Sequence, residues 1–441
     1  MPREVPSRDS ESQSSLLAPL HHRDFRIFWT GLFISGIGSQ FTTVAMAWQI
    51  YELTDSPFQI GLIGLARAVP QIVLLLLGGL LADAINRRRL MLFTQAGLCI
   101  VSTLLAWLSI HRMASPPTLY VAAALLAVFN SLEAPARQAI LPNLVPRDQL
   151  SRALALHSSQ RYIAVIAGPS LAGLFLAFSG PAACYAIDAL SWLAMLVSLL
   201  LLRARLQEGR GWEAVSLHSL REGFRFVSLH SIIFPLMILD FGATFFGSAK
   251  ALFPVYARDI LSVGPQGLGV LYAASAAGAL VVAVVMSLFG EVKRAGIWIF
   301  IGVGVYGVCT CLFAVSELFW FSVLLLVGAG AGDMISSILR GTINQLSTPD
   351  ALRGRMASIN SIFTSSGPQL GQFESGVVAA WLGTELSALT GGLATLIILS
   401  GVTVWFPGIR RFQIREVAPA RERTAVSTIK EPAPGSNPAD S

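Results

Sequence analysis

Residues 57–89 read PFQIGLIGLARAVPQIVLLLLGGLLADAINRRR, and this stretch decides the fold. Residues 57–82 are almost continuously apolar, interrupted by a single charge, Arg67. A bilayer-crossing helix needs about 20 such residues, whereas a barrel strand needs about ten that alternate. The run is long and does not alternate, so a helix that satisfies its own backbone hydrogen bonds is expected. The run ends in Arg87, Arg88 and Arg89, the cluster that marks a cytoplasmic end.

Similar runs fill the rest of the chain. They cover 25–51, 57–82, 90–110, 118–141, 155–178 and 182–202, then 232–256, 267–289, 295–315, 318–339, 356–382 and 386–407. Composition agrees. Of 441 residues, 54% are hydrophobic and 13% charged, against about 25% charged in an ordinary soluble domain. Mean hydropathy is +0.65. A soluble protein is excluded, and an all-α integral membrane protein of 12 transmembrane helices is expected.

The net charge of +6 invites a nucleic-acid reading. Position argues against it. With the N-terminus inside, the outer loops carry only Arg112 and Arg258, and Arg26, Arg67, Arg161 and Lys250 fall within spans. Every other Lys and Arg, Arg340 included, is assigned to an inner loop or tail. This asymmetry predicts a multi-pass inner-membrane protein with both termini cytoplasmic. Residues 1–24 hold no apolar run for a signal peptide and read as a cytoplasmic tail. Residues 409–441, rich in Pro, Ser, Arg and Glu, read as a disordered cytoplasmic tail. Between them lie a first bundle at 25–203, a linker at 204–230 and a second bundle at 231–408. The linker carries Leu217, Leu220, Phe224 and Val227 at helical spacing, as for a helix lying on the membrane face.

The halves echo each other. Arg137, Pro146 and Arg152 recur at one constant offset as Arg340, Pro349 and Arg355, and Gly168-Pro169 recurs as Gly367-Pro368. Two parallel six-span repeats predict a transporter with its binding site between the halves.

The loop after the second span reads Gly79-Leu80-Leu81-Ala82-Asp83-Ala84-Ile85-Asn86-Arg87-Arg88-Arg89. Gly79 permits close helix approach, Asp83 suits a helix N-terminus, and the arginines suit carboxylates or helix C-terminal carbonyls. The stretch resembles the loop signature of the major facilitator superfamily, departing from it at Asn86, where glycine is usual. Asn also tolerates a left-handed turn. The resemblance implies a cytoplasmic latch built on Gly79, Asp83, Arg87 and Arg88. Ala167–Gly173 resembles the glycine-proline motif of exporters in that superfamily, implying an exporter-type kink at Gly168, Pro169 and Gly173. Residues 130–148, 188–192 and 253–261 resemble the subgroup containing the bacterial enterobactin exporter and related secretion proteins. That subgroup implies export of a small amphipathic organic molecule, such as a siderophore, drug or secondary metabolite.

Charges inside spans are costly, about 2.5–3.5 kcal/mol each on insertion scales, and are functional candidates by default. Arg67, Arg161 and Asp240 lie deepest; Asp333 lies nearer the inner side, and Glu374 and Lys250 nearer the outer side. Asp188 falls in the outer third of its span. Asp240, which opens the second half, is the first candidate for carrying a proton, with Glu374 and Asp333 next and Arg67 and Arg161 as cavity candidates. Glu133 and Arg137, four apart on one helix, are expected to pair near the inner face. The four cysteines, Cys99, Cys184, Cys309 and Cys311, lie in apolar stretches without metal-ligand spacing. No phosphate-binding glycine loop, His-Glu-x-x-His or nucleophile elbow occurs.

The expected protein is a secondary active transporter, a proton antiporter working by alternating access in the plasma membrane. It is not an enzyme and needs no cofactor or metal. Its partners are a small-molecule substrate, protons and the lipid bilayer, and it acts as a monomer without nucleic acid. A uniporter or importer of the same fold, or a membrane sensor or scaffold, is the competing reading.

Overall fold

A computed structural model describes residues 17–81, 86–203, 225, 227, 228, 230, 232–289, 292, 294–348 and 353–411. Among them the elements are helices joined by short connections, with no strand. The long helices are α1 Arg23–Thr54, α2 Pro57–Leu81, α3 Arg87–Ile110, α4 Pro116–Ile140, α5 Leu150–Leu201 and α6 Ile233–Phe246. There follow α7 Gly264–Phe289, α8 Ala295–Ala314, α9 Phe319–Ser347, α10 Arg353–Leu382 and α11 Thr384–Trp405, and a short α12 Pro407–Arg411.

Local chemistry sets the ends. Asp55, in the left-handed region, closes α1. The Asn86 side chain accepts from the Arg88 and Arg89 amides at 3.0 and 3.4 Å and so caps α3. Its φ is −56°, so Asn86 serves as a cap rather than as the left-handed turn its place in the loop signature suggests. Inside α5, Gly180 has φ 73° and ψ −179°, a conformation glycine adopts without a steric penalty. Pro181 then restarts the helix. The element is therefore two helical arms, 150–179 and 181–201, as the two expected spans require.

Among the described residues, nine helical stretches are long and apolar enough to cross a membrane, the two-armed α5 counting once. Long α1 and α10 are not among them, because both carry more polar side chains.

Several boundaries correct the sequence reading. The expected span 232–256 is broken: α6 stops at Phe246, and the chain continues through 3₁₀, α and π turns at Ala249–Leu252, Phe253–Val255 and Tyr256–Ile260. The Tyr306 hydroxyl donates to the Gly247 carbonyl at 2.5 Å, and Pro254 has no amide to extend a helix. Residues 17–24 are structured, with a 3₁₀ turn at Ala18–His21 and Ala18 buried. At the other end α12 runs past 408, and Ile409 is buried against Gly296. Arg340, assigned to a loop, lies buried inside α9. Of the proposed surface helix, Leu217, Leu220 and Phe224 lie outside the described residues, while Val227 packs with Ile233, Met237, Met356 and Ile359.

The apolar core is divided unevenly. One large cluster takes residues from both sides of the linker, including Phe41, Ile50, Leu119 and Tyr185 with Phe253, Tyr256, Leu268 and Phe313. A second cluster, around Phe25, Phe28, Met91 and Leu199, draws only on residues before the linker. A third, around Leu236, Ile299, Ile343 and Ile409, draws only on residues after it.

Candidate functional site

Where the two sides of the chain meet, helices approach at glycines. A Cβ on Gly173 of α5 would meet the Pro265 carbonyl at 2.5 Å and the Gly269 Cα at 2.8 Å, both on α7. A Cβ on Gly61 of α2 would meet the Gln372 carbonyl and the Gly376 Cα of α10, each at 3.0 Å. Small residues let these backbones touch. Gly168 packs on Gln40 of α1, and its repeat partner Gly367 packs on Thr244 of α6.

Between these contacts lies a cavity of about 190 Å³. Its polar lining is Gln40 and Thr43 of α1, Arg67 of α2, Lys250 from the turn after α6, Tyr272 of α7 and Gln372 of α10. Pro169 of the exporter-type motif contributes to the wall. The break at Phe246 places Lys250 here, which a continuous helix would not. The Tyr272 hydroxyl donates to the Lys250 carbonyl at 3.3 Å. The Arg67 guanidinium reaches the Met46 sulfur at 3.8 Å and, among the described residues, forms no ion pair. A larger apolar recess near Phe33, Phe41 and Phe175 has almost no polar wall and carries no chemistry.

The other candidates lie elsewhere. Asp240 is buried on α6 and meets Arg340 of α9 at 2.5 Å. It was expected at depth, in need of a partner or a water-filled cavity; the helix α9, longer than predicted, supplies the partner. Asp333, two helical turns before Arg340 on α9 and exposed, is close enough to act electrostatically on Asp240. Glu374 is half-buried on α10, where the Ser375 hydroxyl reaches it at 3.5 Å. Arg161 was expected at depth and in need of a partner. Its side chain is exposed, with its guanidinium 5.9 Å from the Tyr162 ring centroid, and it does not line the cavity.

Glu133 and Arg137 do pair, at 3.5 Å, and the Gln95 amide donates to the buried Glu133 at 2.6 Å. Arg88 donates to the Leu199 and Leu200 carbonyls at the end of α5, at 3.0 and 3.2 Å. This is the helix C-terminal contact expected of the loop arginines. Arg87 begins α3. Asp83 lies outside the described residues, and for Gly79 only its place in α2 is described.

Two sets of contacts escaped the sequence reading, which noted Asp188 only as a charge in the outer third of its span. Asp188 is fully buried and accepts from Thr42 at 2.6 Å and Ser102 at 2.7 Å, tying together α1, α3 and α5. At the ends predicted to face outward, Tyr51 donates to Asp259, and Arg258 meets Asp55 at 2.7 Å and lies 5.3 Å from the Tyr51 ring centroid. The Arg258-Asp259 pair was visible in the sequence, but its partners two hundred residues away were not. Among the described residues no His, Cys, Asp and Glu group could hold a metal.

Comparison with known proteins agrees with this architecture. The family model of transmembrane secretion effectors matches residues 14–430. The enterobactin exporter EntS of Shigella boydii serotype 18 is 28% identical over 395 residues, covering 89% of this chain and 94% of that protein. The enterobactin exporter EntS of Escherichia coli O1:K1 is 27% identical over the same length, with the same coverage. Among solved structures, the nucleoside transporter NupG superposes with a TM-score of 0.69 at 14% identity, covering 87% of this chain and 99% of that one. A bacterial homologue of the iron transporter ferroportin, in an inward-facing state, gives 0.67 at 15% identity, covering 87% and 98%. The chain is thus a multi-pass membrane transporter rather than an enzyme, and it belongs to the transmembrane secretion effector family of the major facilitator superfamily.

Proposed function

We propose that the protein is a proton-coupled exporter of a small amphipathic organic molecule. It works by alternating access between two six-helix halves, 25–203 and 231–408, with both termini cytoplasmic. The 12-span count takes α5 as two arms about Gly180 and includes the polar α1 and α10. The observation that carries the reading is the divided core. One apolar cluster joins both halves at the ends predicted to face outward, while the clusters at the inner ends are separate. This is the pattern of a carrier closed outside and parted inside, ready to load from the cytoplasm. The similarity to enterobactin exporters and the Gly168-Pro169 motif support export.

Asp240 remains the first candidate for the proton. Exposed Asp333 offers an entry point, and protonation of Asp240 would release Arg340, changing how α6 holds α9. Glu374, half-buried on α10, is the second candidate. Entry of one proton across the full potential supplies about 2.3 kcal/mol per 100 mV.

Metabolite profiling of a deletion strain identifies the compound retained in the cell. With that compound, acid-loaded inverted vesicles should accumulate it, and Asp240→Asn should abolish the accumulation at normal expression. Equal accumulation without a proton gradient sinks the coupling and leaves a uniporter. Full activity of Asp240→Asn across a pH series removes Asp240 from the proton path.

A further inference from the structure

Arg67 and Lys250 raise a question the transport reading leaves open. Both line the cavity between the halves, one from α2 and one from the turn after α6. No carboxylate shares that lining, and neither cation forms an ion pair among the described residues. Among the described residues, other buried charges are answered: Asp240 by Arg340, Glu133 by Arg137 and Gln95, Asp188 by two hydroxyls. An unanswered guanidinium at membrane depth is costly and calls for an anion from outside the chain. Of the remaining polar wall, the Gln40 and Gln372 amides supply further hydrogen-bond donors around the same space, while the Thr43 and Tyr272 hydroxyls donate to the Ser39 and Lys250 carbonyls.

The volume narrows the occupant. About 190 Å³ is smaller than a typical ligand pocket of roughly 300–1,000 Å³, so it takes the head of a molecule rather than the whole. The rest of the wall is apolar, and includes Ile60, Ile63, Ala251 and Ala276. A planar acid group on an apolar ring meets both conditions, and a guanidinium fork matches a carboxylate in two parallel hydrogen bonds.

We propose that this cavity is an organic-anion subsite, in which Arg67 and Lys250 hold a carboxylate or phenolate of the transported molecule. The proposal rests on the transporter reading above and names the charge of its substrate. Because the two cations come from opposite halves, one anion bound between them links the halves at the cavity.

The test is equilibrium binding of a matched pair, 1-naphthoate and its neutral amide 1-naphthamide, to the purified full-length protein by calorimetry. Wild type should prefer the naphthoate by about tenfold or more. Arg67→Gln should abolish that preference, Lys250→Gln should weaken it, and Arg67→Lys should retain most of it. Melting curves of each variant separate lost binding from lost folding, and the Lys250→Gln arm stands if Arg67→Gln does not fold. Equal affinity for the pair, undetectable naphthoate binding at millimolar concentration, or an unchanged preference in both Gln variants overturns the proposal. Counterflow of substrate in proteoliposomes is measured separately. Transport without anion preference refutes the subsite alone, whereas anion binding without any counterflow refutes the transport reading.

Discussion

At the residue scale, the buried charges Asp240, Glu133 and Asp188 meet partners within the protein, while Arg67 faces a cavity. The Asp240–Arg340 pair is buried on both sides, so removing one partner leaves an uncompensated charge. Such a loss costs about 3–5 kcal/mol. Arg340→Leu is therefore expected to lower the melting temperature sharply, and Asp240→Asn with Arg340→Leu to recover much of it. A double variant no more stable than Arg340→Leu would show that the pair is not what the single change breaks. Asp188 makes a different kind of tie, holding two hydroxyls from α1 and α3 with one carboxylate. Asp188→Ala should destabilise the first half by about 1–3 kcal/mol, because the Thr42 and Ser102 hydroxyls lose their acceptor. Chemical denaturation in detergent reads this directly. The depth of Asp240 and the Glu133–Arg137 spacing were legible in the sequence. The Asp240 partner was not, since nothing in the local pattern says which helix will lie beside α6.

At the element scale, helices from before and after the linker meet backbone to backbone. Gly269 would place a Cβ 2.5 Å from the Pro169 carbonyl, and no side-chain rotation relieves a clash with backbone. Gly269→Val should push α7 away from α5, overpacking of a kind that costs about 1–3 kcal/mol, and should reduce transport at normal expression. A counterflow assay on the variant measures it; wild-type rates would mean that these helices tolerate separation. The exporter-type motif gains a second meaning here. Gly168-Pro169 was read as a kink, yet Pro169 lines the cavity and Gly173 makes the cross-half contact. The break after Phe246 is the other element the sequence hid. Residues 232–256 have the hydropathy of one continuous span. Only the Tyr306 bond to the Gly247 carbonyl and the turns that follow show that the helix ends early and brings Lys250 to the cavity.

At the scale of the whole molecule, the shared cluster and the Tyr51, Asp55, Arg258 and Asp259 network fasten the ends predicted to face outward. Arg258→Ala removes both the Asp55 pair and the stacking on Tyr51. It should raise the outward-open population, read as faster labelling of cysteines introduced near residue 55; unchanged labelling would mean that the apolar cluster alone keeps that side shut. Spin labels at Gln138 and Gly341, equivalent positions in the two halves, should move closer when the inner ends close. The amino-acid sequence by itself determined the class. Continuous apolar runs of span length, separated by loops whose basic residues fall almost entirely on one predicted side, admit a helical membrane protein and little else. Hydropathy and charge are properties of each segment, so they survive without knowing its neighbours. Which charges meet, where a span breaks, and which cations remain unpaired belong to the tertiary structure, because each depends on residues far apart in the chain that only packing brings together.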